Sequence, residues 1–502
     1  MPEHDTGSIS RHRLSEAPGE TYTRTILEPS YQFMRENYFE GLLDANEAWI
    51  VMLTECGIVD RAAAARVAEG LAVMRREGDE RFAAFDPRYE YFYSHLEHRL
   101  TELVGAEIAG DINIARTRPE PLTRLAIRAR TAVVAERLLD LVDTLLRIAE
   151  SEKETVMPQW THLQPAQPST VGHYLVGMAD ALLRDAGRLQ AAYGTTNHST
   201  LGCGALAGTS YPIDRARGAG LLGFDGVREN SIDAVGSGDY ATETAAALSG
   251  VGIDLSRLSM DLYLWCTVEF GFAEIGDSYA GSSSMMPQKK NAYPFEYVRA
   301  RAARAVSDMS GVFMVLHNTT FGDTKDVEEE MVPPVVRLLD ETAVSLELLA
   351  GSIDSMRFHR ERMAEAAAAG FSTATELAAV IHRTTDLDFR SAHQVVGTLV
   401  RLAVERDIAP EQVDAALVDE AAELALGRRL GMSDEDVHRS LDARSFVAAH
   451  RSDGGAAPEM VSANVSHARE RASAVRAWRD AARAQVRKSD EERREAIRLL
   501  AE

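Results

Sequence analysis

Cysteine is nearly missing from this chain of 502 residues. Cys56, Cys203 and Cys266 stand far apart and match neither a disulfide framework nor a zinc-ligand spacing, which fits a reducing cytoplasm. Positive charge is also in short supply, with 54 Lys and Arg against 77 Asp and Glu and a net charge of −23. That balance excludes nonspecific binding to nucleic acid or to an anionic membrane. No run of about 18 apolar residues is present to cross a bilayer. Residues 1–24 are polar and mixed in charge, without the apolar centre of a secretory signal. There is no His-Glu-x-x-His, no P-loop and no dinucleotide fingerprint, so neither a metal nor a nucleotide cofactor is expected. Strand-like alternation is scarce, and no solenoid period stands out.

What is present reads as helix. Apolar residues make up 45% of the chain and charged residues 26%, an ordinary globular balance, and the length suits about three domains. Ala, Leu, Arg and Glu dominate, and apolar positions recur at three- and four-residue steps, as at Leu122, Leu125, Ala126 and Ala129. Residues 123–152 hold no Pro or Gly and predict a helix roughly 45 Å long. Further long helices are expected at 171–193, 239–272 and 291–316, packed as an all-α bundle. Loops are expected at 105–121, 157–168, 197–230, 281–291 and 322–334. The division that follows is an N-terminal helical domain at 1–120, a central bundle at 121–370 and a C-terminal helical domain at 371–502. That last domain ends in a charged amphipathic segment, 466–501.

One loop carries chemistry. The run GSSSMMPQKKN at 281–291 places three hydroxyls, two Met, a Pro and two Lys in a stretch where a plain linker needs none of them. Hydroxyls on flexible backbone can line an oxyanion or carboxylate site, with Lys289 supplying charge. A Ser-rich surface turn with a solvated Lys pair is the plain alternative. The run resembles the S-S-x-M-P-x-K-x-N signature of the fumarase/aspartase superfamily through Ser283, Ser284, Met286, Pro287, Lys289 and Asn291. Its Gln-Lys-Lys-Asn form resembles the argininosuccinate lyase branch. Further segments agree in order: THLQPAQP at 161–168, LGCGALAGT at 201–209 (with Cys203 in place of Ser), EFGF at 269–272 and FRSAH at 389–393. The resemblance covers about residues 40–465.

The resemblance implies a three-domain fold whose long central helices form the twenty-helix core of a homotetramer, each site drawing separate segments from three subunits. It implies elimination of fumarate from an N-substituted aspartate, or amine addition in reverse. Ser283 would be the general base, Lys289 and Asn291 would hold carboxylate and developing charge, and His162 would be the acid with its ring held by Glu296. Thr161, Gln164 and Ser284 would bind substrate, although Gln164 and Gln167 could equally be hydrogen bonders at a helix cap or in the core. Arg116, Thr117 and Arg118 match a carboxylate-gripping loop and supply the local positive charge that the acidic bulk requires.

Four departures from the family pattern stand out. Pro119 replaces an Asn, Trp49 replaces a His, and Ala292 with Tyr293 replace Pro and Asp. The fourth is the acidic segment 321–331, where Asp326 or Glu328, depending on register, replaces a Gln, and Glu329 or Met331 a Lys. Phe321 opens that segment. An acidic, Tyr-lined pocket would suit a cationic or aromatic amine rather than arginine's own carboxylate; the plain alternative is a solvated acidic loop face. Ethylenediaminedisuccinate lyases show that the amine half can change on this scaffold. Two other readings differ in class: a same-fold lyase or cycloisomerase acting on a non-succinyl substrate, and a non-catalytic structural homologue.

Overall fold

The computed structural model describes residues 16–117 and 120–502. Its long helices are α1 (Glu28–Glu55), α2 (Leu122–Ser151), α3 (Val171–Thr196), α4 (Asp239–Trp265), α5 (Tyr293–His317), α6 (Val332–Asp354) and α7 (Pro458–Ala501). α2, α3, α4, α5 and α6 pack in a ring, each against the next and α6 back against α2. Leu175, Leu182 and Leu189 of α3 recur every seven residues and are fully buried, as are Leu248, Leu255 and Leu262 of α4. That period keeps one seam of each helix facing its neighbours. Gly252 lets α4 approach α5 closely, since a Cβ there would sit 3.4 Å from the Ala305 Cβ.

Local signals start and stop these helices. The Thr170 hydroxyl caps α3 by accepting the His173 amide at 3.0 Å. Pro stands in the first turns of α5 and α6, where its missing N–H costs no helical bond. α4 ends at Trp265, short of the expected 272. The chain reverses at Gly271, whose φ of 62° favours glycine, and this sets Phe270 and Phe272 against Trp160.

Residues 157–168, expected as a loop, form most of an antiparallel hairpin of β1 (Val156–Thr161) and β2 (Gln164–Thr170). Pro158, Pro165 and Pro168 obscure it in the sequence, because Pro lacks the N–H that a central strand needs. A register shift between Pro158 and Trp160 accommodates them.

A second apolar core, built around Leu377, Ile381, Val395, Leu399, Val418 and Val437, is separate from that of the bundle. The expected unit 371–502 does not pack as one body. α7 leaves this second core and runs back along α2 and α3 to the helix Arg61–Glu77, adding Val461, Val465 and Ala468 to the main core. Its far end is fastened by Arg493, 3% exposed, which bonds Asp44 at 2.7 Å, Glu47 at 3.1 Å and the Leu221 carbonyl at 3.1 Å. The charged sequence of α7 conceals this, because its polar face is itself paired.

Candidate active site

The bundle has two functional ends. α2 begins beside the Arg116 loop and stops just before the β1–β2 hairpin; α5 begins just after the Ser283 loop and stops just before Phe321. A helix of this length spans roughly 36–45 Å, so these features lie that far apart in one chain.

At the first end the loop before α2 is held from behind. The Trp49 indole, fully buried, donates to the Ile114 carbonyl at 2.9 Å. The residue that departs from the family's His therefore serves as an anchor. Arg116 Nη1 donates to Asn46 Oδ1 at 2.7 Å, and its guanidinium lies 5.8 Å from the Tyr93 ring centre. Among the described residues its Nε and Nη2 are buried without a hydrogen-bond partner. Arg116 borders a cavity of about 580 Å3 lined also by Tyr38, Tyr91, Tyr93, Thr117, Asp323 and Glu328, among others. Among the described residues the buried Tyr38 hydroxyl also has no partner. Buried polar atoms are normally satisfied, so two such groups around one cavity mark a place for a polar ligand. Arg118 and Pro119 lie outside the described residues.

The base of this end is stiffened by buried arginines of α2. Arg124 donates to the Thr195 carbonyl at 3.0 Å and Arg128 to Asn197 Oδ1 at 2.9 Å. Both sit at the C-terminus of α3, where unpaired carbonyls and the helix dipole favour cations.

The acidic segment is not a uniformly acidic wall. Asp326 is exposed, Phe321 is 63% exposed, and neither is among the cavity-lining residues. Glu328 does line the cavity, while Met331 is fully buried in the core. Lys325 keeps a cation in this segment although an acid or Met331 stands in place of the family's Lys. Its ammonium bonds Glu328 at 2.8 Å, pairs with Glu329, and lies 4.9 Å from the Tyr91 ring centre. Burial raises the Glu328 pKa against the pull of Lys325. Glu329 also accepts from Ser30 at 2.9 Å, so it is not a merely solvated acid.

The second end is displayed in the open. The hairpin turns at His162 and Leu163, both at positive φ (56° and 59°), the left-handed pair that a two-residue turn demands. Thr161 and Gln164 pair across that turn, and all four residues are exposed. Among the described residues no hydrogen bond reaches the His162 ring. Trp160 packs on Phe270 and Phe272 and so ties the hairpin to the segment that leads into the Ser283 loop.

That loop is closed by two short strands, β3 (Gly281–Ser282) and β4 (Lys290–Asn291). Lys290 fastens it from outside, bonding Glu274 at 2.8 Å and Asp277 at 2.6 Å, and these bonds lower both carboxyls and raise the lysine. Within it, Ser283 Oγ accepts the Met286 amide at 2.9 Å and the Met285 amide at 3.3 Å. Ser284 and Lys289 are exposed, and Met285 is 88% exposed.

Tyr293 does not sit with the acidic segment. It lies across the bundle from it, its ring pressed on Gly281, where a Cβ would come within 2.0 Å. The Asn291 amide donates to the Tyr293 hydroxyl at 3.2 Å and to the Gly281 carbonyl at 3.2 Å. In one chain these two residues shape the loop. Burial and the Glu296 carboxylate raise the Tyr263 hydroxyl pKa, which places Glu296 beside Tyr263 rather than His162. The expected His162–Glu296 pair is not formed within a chain, because each points outward on its own element.

Several residues of this site escape a sequence reading: Asn46, Tyr38, Tyr91, Lys325 and Glu120. Asn46 lies in the same helical stretch as Trp49, and that proximity is its one signal.

The lyase family profile matches residues 30–307, and the argininosuccinate lyase C-terminal profile matches 371–448. The argininosuccinate lyase of Methanothermobacter thermautotrophicus is 36% identical over 84% of this chain and 90% of its own. That of Methanothrix thermoacetophila is 37% identical over 83% and 84%. A crystal structure of EDDS lyase with formate superposes with a TM-score of 0.86 at 28% identity, covering 97% of this chain and 96% of that one. Fold and site thus define a lyase of the fumarase/aspartase superfamily. Within it, the chain belongs to the argininosuccinate lyase branch and is a carbon–nitrogen lyase. Among the described residues no helix is long and apolar enough to cross a membrane.

Proposed function

We propose that this enzyme eliminates fumarate from an N-substituted aspartate, or adds an amine to fumarate in the reverse direction, in the cytoplasm and without a cofactor. Ser283 as alkoxide removes the proton from the carbon next to one carboxylate. The electron pair left there is held as an aci-carboxylate, then forms the carbon–carbon double bond as the carbon–nitrogen bond breaks. The departing nitrogen takes a proton from His162, directly or through water.

The observation that carries this reading is the pair of amide bonds on Ser283 Oγ. A serine hydroxyl is far too weak an acid to ionise unaided, and amide donors aimed at its oxygen stabilise the alkoxide, as does a nearby Lys289. Arg116, Thr117 and Arg118 hold substrate carboxylate at the opposite end. Since the ends of one chain cannot meet, the reading requires a homotetramer whose copies bring Arg116, His162 and Ser283 together, with Thr161, Gln164, Ser284 and Asn291 around the succinyl half.

The cavity at the Arg116 end supports an amine half that is cationic or aromatic. Tyr38, Tyr91 and Tyr93 offer ring faces, and Glu97, Asp323 and Glu328 offer charge that Lys325 offsets only in part. Phe321, Asp326 and Tyr293 would reach substrate only where copies meet.

The test mixes the purified protein with argininosuccinate, other N-succinyl amines, and fumarate plus candidate amines, following fumarate absorbance. Fumarate release that Ser283→Ala abolishes is the expected result. No turnover of any such compound, or a Ser283→Ala variant as active as the parent, would overturn it.

A further inference from the structure

A residue from the far end of the chain is packed behind the helix that carries the Arg116 loop's anchors. α7 starts beside the last turns of α2, where Ser462 donates to Glu150 at 3.0 Å, and runs along the bundle to Arg493. The buried Arg493 guanidinium uses its whole fork. Nη2 bonds Asp44 at 2.7 Å, Nε bonds Glu47 at 3.1 Å, and Nη1 bonds Asp490 at 2.9 Å and the Leu221 carbonyl at 3.1 Å. Arg75, from the helix Arg61–Glu77, bonds the same Asp44 at 2.9 Å and Glu47 at 3.0 Å and pairs with Glu40. Two arginines thus hold three carboxylates of α1.

The opposite face of α1 meets the substrate loop. Glu40, Asp44 and Glu47 recur at helical steps along one side, and Tyr38, Leu42, Asn46 and Trp49 along the other, about half a turn away. Asn46 accepts from Arg116 at 2.7 Å, Trp49 donates to the Ile114 carbonyl at 2.9 Å, and Tyr38 and Leu42 wall the main cavity. Trp49 has no room to adjust by itself, since a Cβ on Gly202 would come within 2.9 Å of its ring and one on Gly218 within 3.8 Å. Gly218 belongs to the helix Arg215–Leu221, and the Leu221 carbonyl at that helix's C-terminus is the one that Arg493 takes. Arg493 therefore fixes both the helix that bears Asn46 and Trp49 and the helix packed on Trp49 from behind.

We propose that Arg493 is a positioning residue for the substrate carboxylate seat, acting through α1 and Asn46 on Arg116. Without it, Arg75 alone faces Glu40, Asp44 and Glu47, and uncompensated negative charge drives that face of α1 towards solvent. Asn46 and Trp49 ride on the same rigid helix, so Arg116 and the Ile114 carbonyl lose their register together. Arg116 keeps its charge but not its aim. The Ser283 loop is carried by other elements and keeps its own ties. A different tie of α7 offers the contrast: Arg476 pairs with Asp143 at 2.6 Å, partly exposed, and Asp143 lies well along α2 from the Arg116 loop. That bond holds α7 to the bundle without touching α1.

This inference rests on the reading that Arg116 binds a substrate carboxylate. The experiment measures the fumarate Kd by calorimetry on the intact assembled protein, each variant first matched to wild type in assembly size and helix content. Arg493→Met should raise Kd about 3- to 10-fold. Arg493→Lys keeps the buried charge but loses the fork, and should raise it about 2- to 5-fold. Arg476→Met should stay within about twofold of wild type, although it also unties α7. Asn46→Ala combined with Arg493→Met should weaken binding by less than the product of the two single effects, because both act on one Arg116 contact. A purely structural role for Arg493 would leave the two effects multiplying. Arg493→Met that binds like wild type, or a double variant whose effects multiply, would overturn the proposal. If Arg493→Met fails to assemble, Arg493→Lys decides by the same two criteria, alone and combined with Asn46→Ala. Fumarate binding that Arg116→Met weakens and the Arg493 variants do not defeats this inference alone. Binding that Arg116→Met leaves unchanged, or no binding to wild type, defeats the underlying reading as well.

Discussion

The two ends of the bundle are built on opposite plans. At the Arg116 end one chain forms a cavity of about 580 Å3, walled by α1, the segment 91–97 and the acidic segment, with the Tyr38 hydroxyl and two Arg116 nitrogens buried beside it. At the Ser283 end the reactive hydroxyl, His162 and Lys289 stand on exposed turns fastened from behind by Lys290, Trp160 and Tyr293. The groups proposed to bind are thus enclosed and those proposed for the chemistry displayed. A half-buried serine on an open turn works as a base only where a partner surface excludes water from it, so the contrast supports the proposed assembly from copies.

The strongest way to break the comparison is to disable each end in a different chain. Ser283→Ala alone should lower turnover by about a thousandfold or more while the Arg116 cavity still binds ligand. Arg116→Met chains and Ser283→Ala chains, each poorly active at substrate well below the raised KM, should regain a measurable share of fumarate release when unfolded and reassembled together. Recovery absent from mixtures that do co-assemble would mean that one chain supplies both ends.

Arg116→Met tests the enclosed end by itself. Losing a charged hydrogen-bonding group there should raise KM about 10- to 100-fold and leave kcat within a few-fold, read from steady-state kinetics. A fall in kcat with KM unchanged would place Arg116 in the chemical step instead.

A pH experiment sharpens the contrast between buried and exposed acids. The Glu120 carboxyl is raised to about 7 in the folded chain, while an unfolded glutamate releases its proton near 4.5. Between those values the folded state binds more protons, so its stability falls as pH rises and levels off above 7. Wild type should therefore lose up to about 3 kcal/mol relative to Glu120→Gln between pH 4.5 and 7, measured by urea unfolding. A constant difference across that range would rule out the buried titration.

The smallest effect is expected at the exposed fastening. Lys290→Met removes a bond to Glu274 and one to the fully exposed Asp277, so global stability should barely change. Its larger signature should be a severalfold fall in kcat, as the Ser283 loop loses its outer tie.

Much of the helical architecture was legible because its cause is periodic. A stretch such as 122–151, free of Pro and Gly and repeating apolar residues every three or four positions, has few alternatives to a buried helix. The hairpin at 156–170 was not legible, since three prolines mask a strand pattern that Trp160 secures only through the distant Phe270 and Phe272. The packing of α7 escaped for a similar reason: its many charges read as solvated until Arg493 is seen buried among Asp44 and Glu47.

The site divides along the same line. Sequence alone supplied the proposed chemistry-bearing set, because Ser283, Lys289, Asn291, His162 and Arg116 stand in runs whose order and spacing are the information. Only the tertiary structure decided which of them share a place. It set Lys325 against Glu328, turned Tyr293 onto Gly281, and brought Glu120 behind Thr117 and onto the amides of Gly202 and Cys203. Those contacts join residues from separate elements or settle which way a side chain turns, and a linear pattern encodes a residue's local period and not the identity of what folding packs against it.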